Sequence, residues 1–414
     1  MVNFIYVALF VLGAPFFAYG IYYMVIGLVG YRKHNQFEVA PPTNRFAAVI
    51  AARNEGQVIG NLIDTLKKQN YPTELLDVYV LPNNCTDDTE AVALAHGAKV
   101  FHCTKDVRSK GAALEQFFDA TFAENDIYDA FCVFDADNLV DPGFFGAMNN
   151  ALCAGETIAQ GYRDAKNPKD SWISGCQSIF YWTLNRFMNL ARYSIGMSAA
   201  LNGTGFMVAA DVLRDGGFRT FSMTEDIEFT TQSIMKGRRV AWVPEALTYD
   251  EHPLTFETSW KQRKRWSTGT IQCFIHYSPL LWQAFKETKN WGCADMILYL
   301  SAPLVQVLTA IYSVCSFIIL SLLFVNTQVW SDALTFAIIF SVGGIFISFL
   351  FTAMVVKLEH HQLKQVKNYS FFSFWFFFFS WIFINIVCVV KPIETWEPIE
   401  HTQSISMSQL ELGK

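Results

Sequence analysis

Four stretches of this chain carry no charged residue and are long enough to cross a bilayer: residues 1 to 31, 296 to 331, 333 to 356 and 368 to 390. Each exceeds the roughly 20 apolar residues that a membrane span needs. Between the first and the second, charges recur often enough that no segment could span. In that central region the pattern changes to short apolar runs of strand type, "FAAVIAA" (46 to 52), "DVYVL" (77 to 81), "KVF" (99 to 101) and "AFCVF" (130 to 134). Helix-like stretches separate them: Val58, Leu62, Ile63 and Leu66 recur at helical spacing, and "DDTEAVALAHG" opens with an acidic first turn. Such alternation predicts an α/β domain with a mostly parallel sheet flanked by helices.

Composition agrees. Of 414 residues, 52% are hydrophobic and 16% aromatic, with 38 Phe, too apolar for an ordinary soluble protein of this length. Arg32 and Lys33 follow the first span, and three Lys and two His fill residues 357 to 367, whereas residues 326 to 332 have no Lys or Arg. The positive-inside rule then places the central domain in the cytosol. The expected organisation is an N-terminal transmembrane helix (1–31), a cytosolic domain (32–277), an interfacial amphipathic segment (278–295), about three transmembrane or re-entrant helices (296–390) and a C-terminal tail (391–414). One span before the domain and three after it would put that tail outside, so one Phe-rich or Pro-interrupted segment is expected to lie in the interface or re-enter. The formal net charge of −6 gives no reason to expect a nucleic-acid partner.

In parallel sheets ligands bind beyond the carboxyl ends of the strands. Arg53-Asn54-Glu55, Asn83-Asn84-Cys85 and Asp135-Ala136-Asp137 occupy those positions. Two carboxylates one residue apart suit Mg²⁺ or Mn²⁺ bridging to substrate phosphates, although a solvated acidic turn would read the same way. No GxxxxGK[ST] occurs, which disfavours a P-loop enzyme. "MTEDIEF" (223 to 229) is a second acidic cluster, either a helix start capped by Thr224 or the site of a general base. "WKQRKRW" (260 to 266) sets four cations between two tryptophans.

The order "FDADN", "TED" at 224 to 226 and "QRKRW" at 262 to 266, followed by membrane spans, resembles the membrane-integrated family 2 glycosyltransferases, among them the cellulose, hyaluronan, chitin and poly-N-acetylglucosamine synthases. The Q-x-x-R-W element, here Gln262, Arg265 and Trp266, is the most specific mark. "AARNE" (51 to 55) and "SKGAAL" (109 to 114) look like the family's nucleotide loop and Lys-Gly helix start.

The resemblance implies a cytosolic GT-A-type nucleotide-sugar-binding domain inserted between transmembrane helices of the cell membrane. It also implies an inverting transfer from a UDP-sugar, glucose or N-acetylglucosamine. Asn54, Glu55, Asn83, Lys110 and Asp135 would contact the donor, and Asp137 with Asp135 would hold Mg²⁺ or Mn²⁺. Asp226 would be the base, Arg265 would engage the leaving diphosphate, Trp266 would face the acceptor, and Gln262 would belong to the same catalytic set. The family usually has Asp where this chain has Asn83. The leading expectation is polymerisation of a β-linked polysaccharide coupled to export, with a growing glycan and accessory export proteins as partners. The alternative is transfer of one sugar to a lipid acceptor; a third reading is a degenerate, non-catalytic membrane subunit. The tail, "KPIETWEPIEHTQSIS" (391 to 406), looks like a segment that closes over the nucleotide in related enzymes.

Overall fold

The computed structural model describes the whole chain except residues 1, 34–35, 105–106, 108, 125–126, 325–327, 361–364, 394–403 and 414. Helix α1 (Val2–Val29) leads into the α/β domain. There follow β1 (Phe46–Ala52), α2 (Ile59–Lys67), β2 (Leu76–Pro82), α3 (Thr89–Ala95), β3 (Lys99–Val100), α4 (Lys110–Glu124) and β4 (Ala130–Asp135). The second half continues with β5 (Leu139–Val140), α5 (Phe144–Cys153), β6 (Ile158–Ala165), α6 (Trp172–Leu184), α7 (Ala191–Ser194), β7 (Phe206–Ala209), α8 (Ala210–Gly216), α9 (Glu225–Met235) and β8 (Ala241–Asp250). A π-helical turn, Asn185–Leu190, joins α6 to α7.

The strands form one mixed sheet in the order β3-β2-β1-β4-β7-β6-β8-β5. β7 pairs antiparallel with β4 and β6, and β5 antiparallel with β8; the remaining pairings are parallel. Period-two alternation explains why β1 reads as one apolar run. Phe46, Ala48 and Ile50 face a core shared with α2 and α5. Ala47 and Val49 face a second core shared with α4 and α8. A strand covered on both faces has no polar side. β4 divides likewise, Cys132 and Phe134 to one core, Phe131 and Val133 to the other.

After the sheet comes a 33-residue helix, α10 (Phe256–Thr288), capped by Thr255, whose side chain accepts from the Thr258 amide at 3.2 Å. It is continuous through residues 277 and 278, where the hydropathy pattern placed the end of the soluble domain. α11 (Trp291–Leu300), α12 (Ala302–Phe324), α13 (Gln328–His360), α14 (Asn368–Val390) and α15 (Met407–Gly413) complete the chain. The uncharged stretch expected as one span over 296–331 is broken at Ser301, with Pro303 in the first turn of the next helix, where its missing N–H costs no hydrogen bond. Four helices hold segments long and apolar enough to cross a membrane: Phe4–Val29, Ala302–Leu322, Val342–His360 and Asn368–Val390.

α14 is tied to the α/β domain at both ends. Near its start the Cys176 thiol contacts the Ser370 carbonyl at 3.6 Å and Lys367 donates to the Asp170 carbonyl at 3.2 Å. Near its end the Cys388 thiol contacts the Lys264 carbonyl at 3.4 Å and the Ile393 amide reaches Thr268 Oγ1 at 3.5 Å. Ser370, Phe371, Phe374, Phe377, Ser380, Ile384 and Cys388 make its buried face, while Phe372, Phe379, Phe383 and Val390 are exposed. Farther on, Asn61 donates to Ser404 Oγ at 2.8 Å, and Leu410 of α15 is buried against Leu139 and Tyr249 at the β5–β8 edge. The Trp-Pro-His part of the expected closing segment lies outside the described residues.

Candidate active site

The carboxyl end of β4 delivers Asp135, and the first residue of α4, Lys110, donates to its Oδ1 at 2.5 Å and to the Gly203 carbonyl at 2.6 Å. Burial would raise the Asp135 pKa, but Lys110, followed by Arg163, outweighs it and holds the carboxyl below its ordinary value. The loop 202–205 opposite is pinned by Gln160, which accepts from the Asn202 amide at 2.8 Å and donates to the Thr204 carbonyl at 2.9 Å. Gly203 has φ +85°, and a Cβ there would sit 3.6 Å from Asp226 Oδ2, 3.8 Å from Arg163 Nη1 and 4.0 Å from Asp135 Oδ2. Two carboxylates and a guanidinium therefore face one small space above a glycine.

Asp226 enters that space from the first turn of α9. Thr224 holds the N-cap position without a capping bond from its hydroxyl, and Glu228 instead accepts the amides of Phe221 and Ser222 at 2.9 and 2.7 Å. Asp226 Oδ1 accepts its own neighbour's amide, Ile227, at 2.8 Å. Its carboxyl is pushed up to about 7, first by burial and then by Glu225, with Lys110 and Arg265 opposing. The result is a carboxyl that titrates near neutrality, as a general base requires.

Arg163, on β6, was not singled out by sequence. It donates through Nε to Asp250 Oδ2 at 2.9 Å and through Nη1 to the Asn202 carbonyl at 2.5 Å, and lies 4.2 Å from the centre of the Tyr181 ring. Arg163 and His252 hold Asp250 well below the usual carboxylate range despite its burial. His252, 1% exposed, lies 3.4 Å from Asp250 through Nε2 and stacks on Tyr181. A strand-end "DEH" at 250 to 252 and the "NGTG" at 202 to 205 were the available signals.

Gln262, Arg265 and Trp266 project from successive turns of one face of α10, as i, i+3 and i+4 spacing requires. Gln262 Oε1 accepts from Gln177 at 2.8 Å. Trp266 stacks on Phe180 at 13° and on Trp381 at 24°. Arg263, between them, points the other way: fully buried, it donates to the Phe377 carbonyl at 3.0 Å and Ser380 at 2.7 Å, and burial brings its guanidinium down to about 10. Lys261 is exposed and pairs with Glu257 at 3.1 Å.

Lys110, Asp135, Asp226, Gln262, Arg265 and Trp266 line one cavity of about 590 Å³. It continues between membrane-type helices, past Tyr19 and Tyr23 of α1, Pro303 and Gln306 of α12, Phe351 of α13, and Phe374, Trp381 and Asn385 of α14. The other expected residues sit elsewhere. Asn54, at φ 60°, accepts from the Thr86 amide at 2.7 Å. The Glu55 amide donates to Thr89 at 2.8 Å and the Asn83 amide to the Ala52 carbonyl at 2.9 Å, at the ends of β1 and β2. Asp137 is buried, with Oδ2 accepting from the Glu251 amide at 3.0 Å, and does not line the cavity.

Among the described residues no three His, Cys, Asp or Glu side chains converge as a metal cage. Asp135, which faces the cavity, fits the other way of holding Mg²⁺ or Mn²⁺, by one or two carboxylates plus substrate phosphates, whereas Asp137 Oδ2 is turned to the Glu251 amide.

The family model described as "Glycosyltransferase like family 2" matches residues 41–269, more than half the chain. Over 394 residues the chain is 23% identical to the Probable glycosyltransferase YdaM of Bacillus subtilis, covering 90% of each. It is 27% identical over 290 residues to the Beta-monoglucosyldiacylglycerol synthase of Nostoc sp., covering 65% of this chain and 57% of that one, less than two thirds of its length. The solved structure of Mannosyltransferase PcManGT from Pyrobaculum calidifontis, in complex with GDP-Man and Mn²⁺, aligns over 92% of this chain and 98% of its own at 18% identity and a TM-score of 0.60, which shows a shared fold. With its mixed sheet of GT-A type and the match over residues 41–269, the chain belongs to glycosyltransferase family 2, enzymes that use nucleotide sugars.

Proposed function

We propose that the enzyme transfers a single hexose from a UDP-sugar to a hydroxyl of a membrane lipid, inverting the anomeric carbon. One observation carries this reading: the cavity holding Asp135 and Asp226 runs unbroken into an apolar space between α1, α12, α13 and α14. Hydrocarbon chains suit such a lining, and a hydroxyl headgroup then reaches the carboxylates. The glycolipid synthase among the relatives supports the same class. A polysaccharide channel, the leading expectation from the Q-x-x-R-W element, needs a polar passage. Among the described residues, the lining from α1, α11, α12, α13 and α14 is apolar apart from tyrosine hydroxyls, the Trp381 indole, and Gln306 with Asn385. Accessory export proteins belong to that second reading and not to this one.

Asp226 takes the proton of the acceptor hydroxyl as its oxygen bonds to the anomeric carbon; the bond from that carbon to the diphosphate oxygen breaks, and UDP leaves on the opposite face. An α-linked donor gives a β-linked glycolipid. Arg265 meets the departing diphosphate, and Lys110 holds Asp135 in place. Asn54, Glu55 and Asn83 form the donor side; Asn83 both donates and accepts, as a uracil edge requires. Asp135 would hold Mg²⁺ or Mn²⁺, joined by Asp137 once its carboxylate turns from the Glu251 amide, and the bound ion would neutralise charge on the diphosphate. Trp266, braced by Phe180 and Trp381, offers a flat apolar face to the acceptor.

In this reading α1, α12 and α13 cross the cell membrane. α14 lies along the interface, with its Phe-rich side in lipid, because both its ends contact the α/β domain. Domain and tail then share the cytosolic side. Purified enzyme supplied with labelled UDP-glucose or UDP-N-acetylglucosamine and membrane lipids should yield label that partitions into organic solvent as one-sugar lipid. Label confined to a high-molecular-weight polysaccharide would overturn the lipid reading.

A further inference from the structure

The cavity also holds a polar pair that the transfer step leaves unused. Asn385, 1% exposed, donates through Nδ2 to Gln306 Oε1 at 2.8 Å, and both side chains line the cavity. That bond satisfies one donor of Asn385 and one acceptor of Gln306. Asn385 Oδ1 is buried with no partner among the described residues, and Gln306 Nε2 keeps its donors for the cavity. Around them stand Pro303, Phe374, Phe378 and Trp381. A buried amide oxygen without a partner is destabilising, and a site that presents one acceptor and one donor side by side in apolar surroundings is completed by what enters it.

We propose that Asn385 and Gln306 form a subsite for the acyl linkage of the lipid acceptor, the carbonyl between its reacting hydroxyl and its hydrocarbon chains. The inference rests on the lipid-acceptor reading above. Gln306 Nε2 donates to the linkage carbonyl, and Asn385 Oδ1 accepts from a neighbouring amide N–H. An ester supplies the carbonyl alone, an amide supplies both partners, and a dialkyl ether supplies neither a carbonyl nor a donor. Sites built to hydrogen-bond a group reject the analogue that lacks it.

The test compares a diacylglycerol, a ceramide and a dialkylglycerol ether as acceptors in mixed micelles at saturating UDP-sugar. Wild-type enzyme should use the better acyl lipid about tenfold more efficiently in kcat/KM than the ether, the worth of one buried hydrogen bond. Gln306→Met should narrow that ratio to about unity, whatever happens to the absolute rate, and Asn385→Leu should narrow the ceramide-to-ester ratio. Preference for ceramide or for diacylglycerol tells which linkage the site reads; equal use of acyl and ether lipids by the wild type overturns the subsite. The wild-type comparison stands even if a variant misfolds. If lipids are labelled without acyl discrimination, the subsite alone fails. If no lipid is labelled and polymer forms, the lipid-acceptor reading fails and takes the subsite with it.

Discussion

The pH dependence of the reaction follows from one carboxyl. Asp226 is raised to about 7, chiefly by burial and secondly by Glu225. Only its ionised form can take a proton, so about one tenth of the enzyme is active at pH 6 and about nine tenths at pH 8, a roughly tenfold rise in kcat/KM. An aspartate at its ordinary value near ~3.9 would be ionised throughout and give a flat line. Glu225→Gln removes the second cause and should move the ascending limb to lower pH. Asp226→Asn should cost about 10² to 10⁴ in turnover at every pH while UDP binding persists. The sign for stability is opposite: a carboxyl raised on folding lends stability below its unfolded value, and this is lost as pH rises through about 7. Asp226→Asn should therefore lose less thermal stability than wild type between pH 6 and 8. Initial rates at subsaturating substrate from pH 5.5 to 8.5 check the kinetic part. A flat profile, or a limb that stays in place in Glu225→Gln, would refute the assignment of Asp226 as the base.

Activity should vanish in excess chelator and return with Mg²⁺ or Mn²⁺; calorimetry should find the metal bound tightly only with UDP present, and Asp137→Ala should weaken that ternary binding. Arg265→Lys keeps the charge but loses the planar fork and should reduce the rate far more than Lys264→Gln, at low and high salt alike; the reverse order would make the basic cluster a membrane-surface patch. Gly203→Ala should lower activity at least tenfold and melt a few degrees earlier, since it forces an L-residue to φ +85° and sets a methyl 3.6 Å from Asp226 Oδ2. A tag at the C-terminus should be cleaved by protease in inside-out vesicles and protected in right-side-out ones; the opposite result would place α14 across the membrane.

Local pattern alone determined the strands over β1, β2 and β4, because a strand covered by helices on both faces must be apolar along its length. It also determined the apolar character of the membrane-type helices, since hydrocarbon solvates no charge. The Asp135, Asp226 and Gln262-Arg265-Trp266 elements were legible because chemistry restricts residue type at strand ends and helix starts. Tertiary structure decided the rest. Arg163 comes from the middle of a strand and faces the site only because β6 lies across β7 from β4; no spacing in sequence encodes that neighbourhood. Asp137, two residues from Asp135, turns to the Glu251 amide instead of the cavity. Arg263, a cation among cations, goes into the α10–α14 contact because successive helix positions differ by 100°. Hydropathy could not tell a span from a helix lying on the domain, since α14 is apolar on both faces: one, carrying Phe371 and Phe377, meets the α6–α10 surface, and the other is exposed. Which side each end contacts is a long-range property of the packed chain.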